Sequence, residues 1–344
     1  MGALFYLGID VSKNTLAVIL LDQKEKIIWS NSSILNTLGG FQKLLDQATK
    51  RAAQKSGGED YVIAAGMEST GVYGELLAYF LYDNNNEGRI TPYVLNPAAV
   101  RSYSKACLEP NKNDPTDARV IASYLSVAIA KGQVNPWKAP SEEERTLRAL
   151  SRRREELVRL LTMEKNRLEK LDNMASPSEE VVESVERLIQ YLDAEIRQVE
   201  EDIDEHIDAS PTLKKNAELL RSIPGVGAVS VATVLGEAGD MSRFEGIKQF
   251  TAFVGIAPVE YTSGTSVMKR SRISKRGNRW IRHVLYMATM IAVRVNPVLR
   301  EFYKRLVERG KNKKVALIAS MRKLLHLIWG ILRNQRMFEP EYGG

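Results

Sequence analysis

Hydrophobic positions fall along this chain in three rhythms. At the start they come in short blocks. Phe5 to Ile9 reads as a buried strand closed by Asp10, and Thr15 to Leu21 and Ile27 to Ser33 follow as strands around the polar turn Asp22 to Lys26. Phe41, Leu44, Leu45 and Ala48 recur at helical spacing within 41–54. Tyr61 to Met67 is a fourth strand, delivering Glu68 at its end; Gly71 to Tyr82 is a helix, Pro92 to Leu95 a short strand and Asp114 to Lys131 a helix. That order predicts a mixed sheet flanked by helices.

From Ser141 the rhythm lengthens. Leu147, Leu150, Leu157, Leu161, Leu168 and Leu171 fall at a/d spacing among charged residues, with Arg154 and Glu164 at two such positions. Ser176-Pro177-Ser178-Glu179 interrupts the run and is expected to restart a helix through a capping box with proline at its first position. Val182, Val185, Ile189, Leu192, Ile196, Val199 and Ile203 then continue a heptad seam. The expectation is an antiparallel helical hairpin or an intermolecular coiled coil, and a role in oligomerisation.

The last third is apolar in longer stretches. Helical segments flank Pro224-Gly225-Val226-Gly227, Phe244 to Phe253 is a helix ended by Gly255 and Pro258, and Trp280 to Val293 and Val315 to Leu332 are apolar helices. The fold class is therefore α/β plus all-α. Its expected parts are a mixed-sheet domain over 1–140, a coiled-coil region over 141–210 and a mainly helical domain over 211–344.

Composition narrows the partners more than the fold. At 344 residues and 44% hydrophobic, the chain can bury two or three cores. Cys107 stands alone, so neither a disulfide framework nor a cysteine zinc site is available, which fits a reducing cytoplasm. Met1 to Ile9 lacks the basic lead and cleavage site of a signal peptide, and the run Val284 to Val293 is half what a bilayer needs, so no membrane is expected. Net charge is +7, but its distribution says more. Between Ser263 and Arg336 there are 19 Lys/Arg against Glu301 and Glu308, which leaves the remainder at a balance of −10. So basic a segment on an acidic or neutral body implies a polyanionic partner, most often nucleic acid.

Candidate chemistry begins with Asn113-Asp114-Pro115-Thr116-Asp117-Ala118-Arg119, where two carboxylates lie three residues apart on one helical face. A plain helix start explains the pair, with Asp114 as N-cap and Pro115 at the first position; the carboxylates keep lone pairs for Mg²⁺ or Mn²⁺. Asp10 and Glu68 end strands, where sites gather in open α/β sheets. Four acids in one small volume raise each other's pKa, and a pair of divalent cations about 4 Å apart removes that conflict in phosphoryl transfer. Pro224-Gly225-Val226-Gly227 resembles a helix-hairpin-helix, whose glycines bring backbone N–H groups to a DNA phosphate; a tight helix-helix turn explains it equally. Glu260 to Ser266 is a hydroxyl-rich loop that runs into Lys269, Arg270, Arg272, Lys275, Arg276 and Arg279. It reads either as a phosphate-binding loop or as a serine nucleophile with arginines that stabilise developing charge. His206, His283 and His326 share no ligand spacing and read as structural or surface residues.

Gly8-Ile9-Asp10-Val11-Ser12-Lys13, Met67-Glu68-Ser69-Thr70-Gly71, Asn96-Pro97 and Asp114 to Arg119, in this order, resemble the RNase H/RuvC-like domain of transposases of the insertion sequence 110 family, with its Asp-Glu-Asp-Asp set. Ser263-Gly264-Thr265-Ser266 resembles that family's Ser-Gly-x-Ser context. The resemblance implies a DNA recombinase that cuts and rejoins strands through a phosphoserine. Asp10, Glu68, Asp114 and Asp117 would hold Mg²⁺ or Mn²⁺, and Ser263 would be the nucleophile, with Ser266 the second candidate. It also implies DNA element ends and target as partners, a noncoding guide RNA, and a dimer or tetramer, with two subunits able to complete one site. Sugar kinases and actin-like folds share the opening strands but need Gly-rich phosphate loops that are absent here. A metal-dependent junction nuclease, with Ser263 only a phosphate ligand, and a non-catalytic nucleic-acid scaffold are the competing readings.

Overall fold

The computed structural model describes residues 2–69, 71–85, 88–107, 114–263, 267–274 and 277–340, with backbone alone at 72, 114, 115, 259–263 and 267–272. It divides into two compact units, Met1–Ala139 and Pro140–Gly344.

The first unit is an α/β layer structure of the expected RNase H/RuvC-like kind. Its strands are β1 (Ala3–Val11), β2 (Thr15–Leu21), β3 (Ile27–Leu35), β4 (Tyr61–Glu68) and β5 (Ile90–Leu95), in the sheet order β3-β2-β1-β4-β5. β1, β2 and β3 form an antiparallel meander, while β4 and β5 run parallel to β1. The helices are α1 (Leu38–Ser56), α2 (Val72–Asp83), α3 (Pro97–Ala106) and α4 (Asp114–Ala130). Strand alternation divides the apolar residues between two faces. Phe5, Leu7 and Ile9 of β1 pack in one core with Phe41 and Leu44 of α1 and Leu77 of α2. Tyr6 and Ala64 face a second core with Val100 of α3 and Ala118, Ile121 and Leu125 of α4. α3 is an addition to the sequence reading, capped where the Asn96 side chain accepts from the Ala98 amide. Beyond α4 the chain is pinned to this unit by Trp137, whose amide donates to the Pro92 carbonyl (2.8 Å) and whose ring meets Tyr79 edge-on.

α4 lies unusually close to the sheet. A Cβ on Gly8 would meet the Ala118 carbonyl oxygen and lie 2.6 Å from the Ala122 nitrogen. A Cβ on Gly66, which pairs with Gly8 across β1 and β4, would lie 3.0 Å from Leu125 and 3.5 Å from Ile121. The direction of α4 follows from its other end. Ser123 and Ser126 donate to the carboxylate of Glu25 in the turn between β2 and β3, beside the amino end of β1, where Tyr6 pairs with Leu21. The first turn of α4 is therefore at the carboxyl end of β1.

The second unit opens with α5 (Glu142–Asp172) and α6 (Glu179–Ala209), continues through α7 (Pro211–Arg221), α8 (Ala228–Ala238) and α9 (Ile247–Val254), and forms the hairpin β6 (Pro258–Ser263) and β7 (Val267–Ile273). α10 (Arg279–Val295), α11 (Pro297–Glu308) and α12 (Lys313–Asn334) close it. α5 and α6 are antiparallel, as the ion pairs Arg154–Glu200 and Lys165–Asp193 require. The heptad seam is buried within the chain: Leu147, Leu157 and Leu161 pack with Leu192, Ile196, Val199 and Ile203, in a core continuous with Leu220, Val231, Phe250, Leu285 and Leu324. Contacts therefore group this hairpin with the C-terminal helices.

Three local expectations change. The capping box belongs to α5, where Ser141 and Glu144 satisfy each other's backbone N–H groups. At the start of α6 the Ser178 hydroxyl instead meets the Glu180 carboxylate at 2.6 Å, and Pro177 precedes the helix. In the basic stretch after Ser263, Lys269, Arg270 and Arg272 lie on a strand, paired as Tyr261↔Lys269 and Val259↔Arg272. Finally, α12, expected as the apolar helix Val315 to Leu332, is long and apolar enough by length and composition to cross a membrane, whereas the sequence reading weighs only Val284 to Val293 against a bilayer. Ala316, Ser320, Met321, Leu324, Leu325, Ile328, Ile331 and Leu332 are buried along it, as in a core helix.

Gly8→Ala is expected to destabilise the first unit by about 2–3 kcal/mol, because the added methyl meets helix backbone that cannot rotate away. Gly39→Ala, with open space around its Cβ, should be neutral or slightly stabilising. Urea midpoints of both variants check this.

Candidate active site

Asp10 and Glu68 stand one position beyond the register pair Ile9↔Met67, at the carboxyl ends of adjacent parallel strands. Each lies two residues after a glycine of the α4 face, so both share that face. Asp117 precedes Ala118, the residue seated on Gly8, in the first turn of α4. Asp10, Glu68 and Asp117 are all half-buried. The backbone thus brings strand-end acids and helix-start acids to one end of one face, with glycines at Gly8 and Gly66 setting the helix low enough to approach. Asp114 opens the same helix turn, and its side chain lies outside the described residues.

Among the described residues, no three His, Cys, Asp or Glu side chains gather closely enough to hold a metal ion. The donor set still suits one in kind. It consists only of hard carboxylate oxygens, which select Mg²⁺ or Mn²⁺ over softer ions. The three histidines stay outside it: His206 Nε2 pairs with the Glu143 carbonyl at 2.8 Å, His283 lies 3.7 Å from Glu155, and His326 is on α12.

The sequence-derived residues of the second unit are placed unevenly. Ser263 is the last residue of β6, paired with Val267. Lys269, Arg270 and Arg272 lie on β7. Ser266, Lys275 and Arg276 lie outside the described residues. Arg279 begins α10 and stacks 4.5 Å over Trp280, which also has Arg159 at 5.0 Å and Arg152 at 5.8 Å. Gly225 has φ +96° and its Cα points at α10, where a Cβ would lie 2.6 Å from Ala292 Cα. Close packing explains this glycine. Gly227 is the N-cap of α8, with no side-chain cap and open space beside it.

One group escaped sequence reasoning. Glu237 on α8 is buried, its side chain 3% exposed, and it accepts from Arg152 Nη2 (2.9 Å) and Nε and from Asn278 Nδ2 (2.6 Å). Asn278 in turn caps α10, accepting from the amides of Trp280 and Ile281. A single carboxylate therefore ties α5, α8 and the start of α10 together, directly after the basic stretch. Only the isolated acid in the apolar run Ala228 to Ala238 hinted at it.

With this geometry in place, comparison with known proteins is specific. Residues 7–174 match the family model of transposases bearing the DEDD domain, and residues 217–304 match that described as Transposase IS116/IS110/IS902 family. The mixed sheet and the helical C-terminal unit are those of a DEDD-type DNA transposase. The chain belongs to the IS116/IS110/IS902 transposase family. The pilin gene-inverting protein of Moraxella bovis is 31% identical over 335 residues, 97% of either chain, and that of Moraxella lacunata is equally similar. The transposase for insertion sequence element IS1111A of Coxiella burnetii is 26% identical over 277 residues, 72% of this chain and 73% of that one.

Glu237→Ala is expected to cost about 2–3 kcal/mol, less than for a wholly buried pair because Arg152 is 42% exposed. Glu237→Gln should recover part of that loss, since one amide oxygen can still accept from Asn278. Thermal denaturation of the two variants decides it.

Proposed function

We propose that this chain is a DNA recombinase of an insertion element, that it uses Ser263 as nucleophile, and that Asp10, Glu68, Asp114 and Asp117 hold Mg²⁺ or Mn²⁺. The observation that carries this reading is the convergence of the β1, β4 and α4 acids on one end of one face, above the glycine pair, in a chain whose family is that of transposases. When bound, the metal would draw the four carboxylates together, offset their mutual repulsion and polarise the phosphodiester. The Ser263 Oγ attacks phosphorus and an Oγ–P bond forms. The P–O3′ bond breaks, and the serine proton passes through solvent to the departing 3′ oxygen, which leaves as a hydroxyl. The bond energy retained in the 5′-phosphoserine allows a 3′ hydroxyl of another strand to reverse the step and rejoin. Lys269, Arg270, Arg272, Lys275, Arg276 and Arg279 supply cations for the DNA backbone and for the charge that develops at phosphorus. The open α8 amino end at Gly227, held in place by the packing of Gly225 on α10, is read as a further phosphate contact.

The relatives named for pilin gene inversion support a site-specific DNA rearrangement, since similarity runs along nearly the whole chain. The basic surplus has capacity for a noncoding guide RNA beside DNA. A cytoplasmic, nucleoid-associated setting follows from that substrate.

The chain is further read as an oligomer, dimer or tetramer, in which the acids of one subunit and Ser263 of another complete one site. Along α5 and α6, Leu160, Met163, Leu188 and Tyr191 are exposed although the seam itself is buried, and this leftover apolar surface suits a second copy. Met163→Glu with Tyr191→Glu is expected to lower the sedimentation coefficient to that of a smaller assembly at unchanged thermal midpoint. An unaltered oligomer would remove the hairpin from the interface.

Adduct trapping tests the chemistry. With Mg²⁺, element-end DNA and co-purified RNA, denatured protein should retain covalently attached DNA. Ser263→Ala is expected to abolish the adduct, and Asp10→Ala or Asp114→Ala to lower its rate at least about a hundredfold. Cutting that persists without adduct in Ser263→Ala would identify a RuvC-like hydrolase. Adduct formation that shifts to Ser266 would move the nucleophile.

A further inference from the structure

The second unit contains a cavity of about 680 Å³ between α11, α12 and the segment that follows α12. Its polar lining is cationic: Arg322, Lys323 and Arg336, with His326 among them and Glu339 as the acid at the rim. Its apolar lining includes Phe302, Leu327, Met337 and Phe338. Lys323 Nζ lies 5.1 Å and the Arg305 guanidinium 5.5 Å from the Phe302 ring centroid, so cations already attend that ring.

Three observations say what would fill it. Among the described residues, none of Arg322, Lys323 and Arg336 is held in an ion pair, and the buried Nε of Arg322 has no hydrogen-bond partner. The cations also depress one another. Burial and then the charge of Arg305 hold the Lys323 ammonium below its usual pKa, and burial and then Arg322 do the same to His326. An anion would relieve both. Finally, the volume lies in the range of small-molecule sites, and the walls are mostly apolar, so a bare phosphate would leave the cavity largely empty. Duplex DNA offers phosphates on a convex surface and cannot enter. An unpaired nucleotide offers a base for Phe338 and Met337 and a phosphate for the arginines, the combination by which proteins hold single strands.

We propose that this cavity seats one unpaired nucleotide of a DNA strand, its base against the Phe338 wall and its phosphate on Arg322 and Arg336. Neither Ser263 nor any of the four acids is among the residues that line it, and binding alone reads it out. Its failure is thus distinguishable from failure of the serine chemistry.

The full-length protein is titrated into a fluorescein-labelled oligothymidylate, the matching oligouridylate and a duplex, and anisotropy is followed. Two variants decide. Gly330 lies on the cavity wall of α12 with open space where a Cβ would stand, so Gly330→Leu fills the cavity and leaves every cation in place. Arg336→Gln removes one exposed cation. Each is expected to weaken oligothymidylate binding about tenfold while duplex affinity stays within about twofold. The proposal is overturned if Gly330→Leu leaves oligothymidylate binding unchanged, if duplex binding falls in step, or if only the oligouridylate arm moves, which would give the cavity to RNA. Should Gly330→Leu lower the thermal midpoint, Leu327→Phe repeats the filling test from a neighbouring wall position, with the same outcomes.

Discussion

The first unit depends on a contact made possible by missing atoms. Gly8 and Gly66 stand side by side on adjacent strands, and α4 rests on them closely enough that a methyl group at Gly8 would meet its backbone. Helix and sheet ordinarily keep apart by the thickness of their side chains. Here that spacing is reduced at one point, two residues before the acids at each strand end. The same contact therefore fixes the second core around Ile121 and Leu125 and fixes how far Asp117 stands from Asp10 and Glu68. Stability and site geometry are set by one interface, so neither can drift without the other.

Much of this architecture is legible in the chain because its strands are apolar runs ended by acids, and because strand order in a meander followed by parallel additions leaves few alternatives. The direction of α4 was not legible. It rests on Glu25 meeting Ser123 and Ser126, a contact across about a hundred residues. α3 and α11 escaped because each begins at an Asn-Pro pair, Asn96-Pro97 and Asn296-Pro297, that reads equally as a turn. The β6–β7 hairpin escaped because Lys269, Arg270 and Arg272 replace the apolar alternation by which a strand is normally recognised.

The proposed roles of the acids and of the serine rest on different support. Asp10 and Glu68 follow from position, since Gly-Ile-Asp and Gly-Met-Glu repeat a glycine two residues before a strand-end acid. Ser263 has no such physical signature. It ends a strand amid hydroxyls and cations, a setting equally good for holding a phosphate, and its assignment comes from family resemblance. Glu237 is the opposite case: chemically unremarked in the sequence, yet the meeting point of three helices.

The α5–α6 hairpin has a mechanical meaning beyond its packing. Each helix has 31 residues, about 46 Å at the usual rise, and α5 is anchored near one end. There Gly236 lets the backbone of α8 approach Arg148 N, with its Cβ position at 2.7 Å, and Glu237 grips Arg152. The hold extends along α5 as far as Arg159, whose guanidinium lies 5.0 Å over the Trp280 ring, and the turn around Met174 is at the other end of the hairpin. Neighbouring residues of α8 thus carry both the root of the long hairpin, through Gly236 and Glu237, and the start of α10, through Asn278.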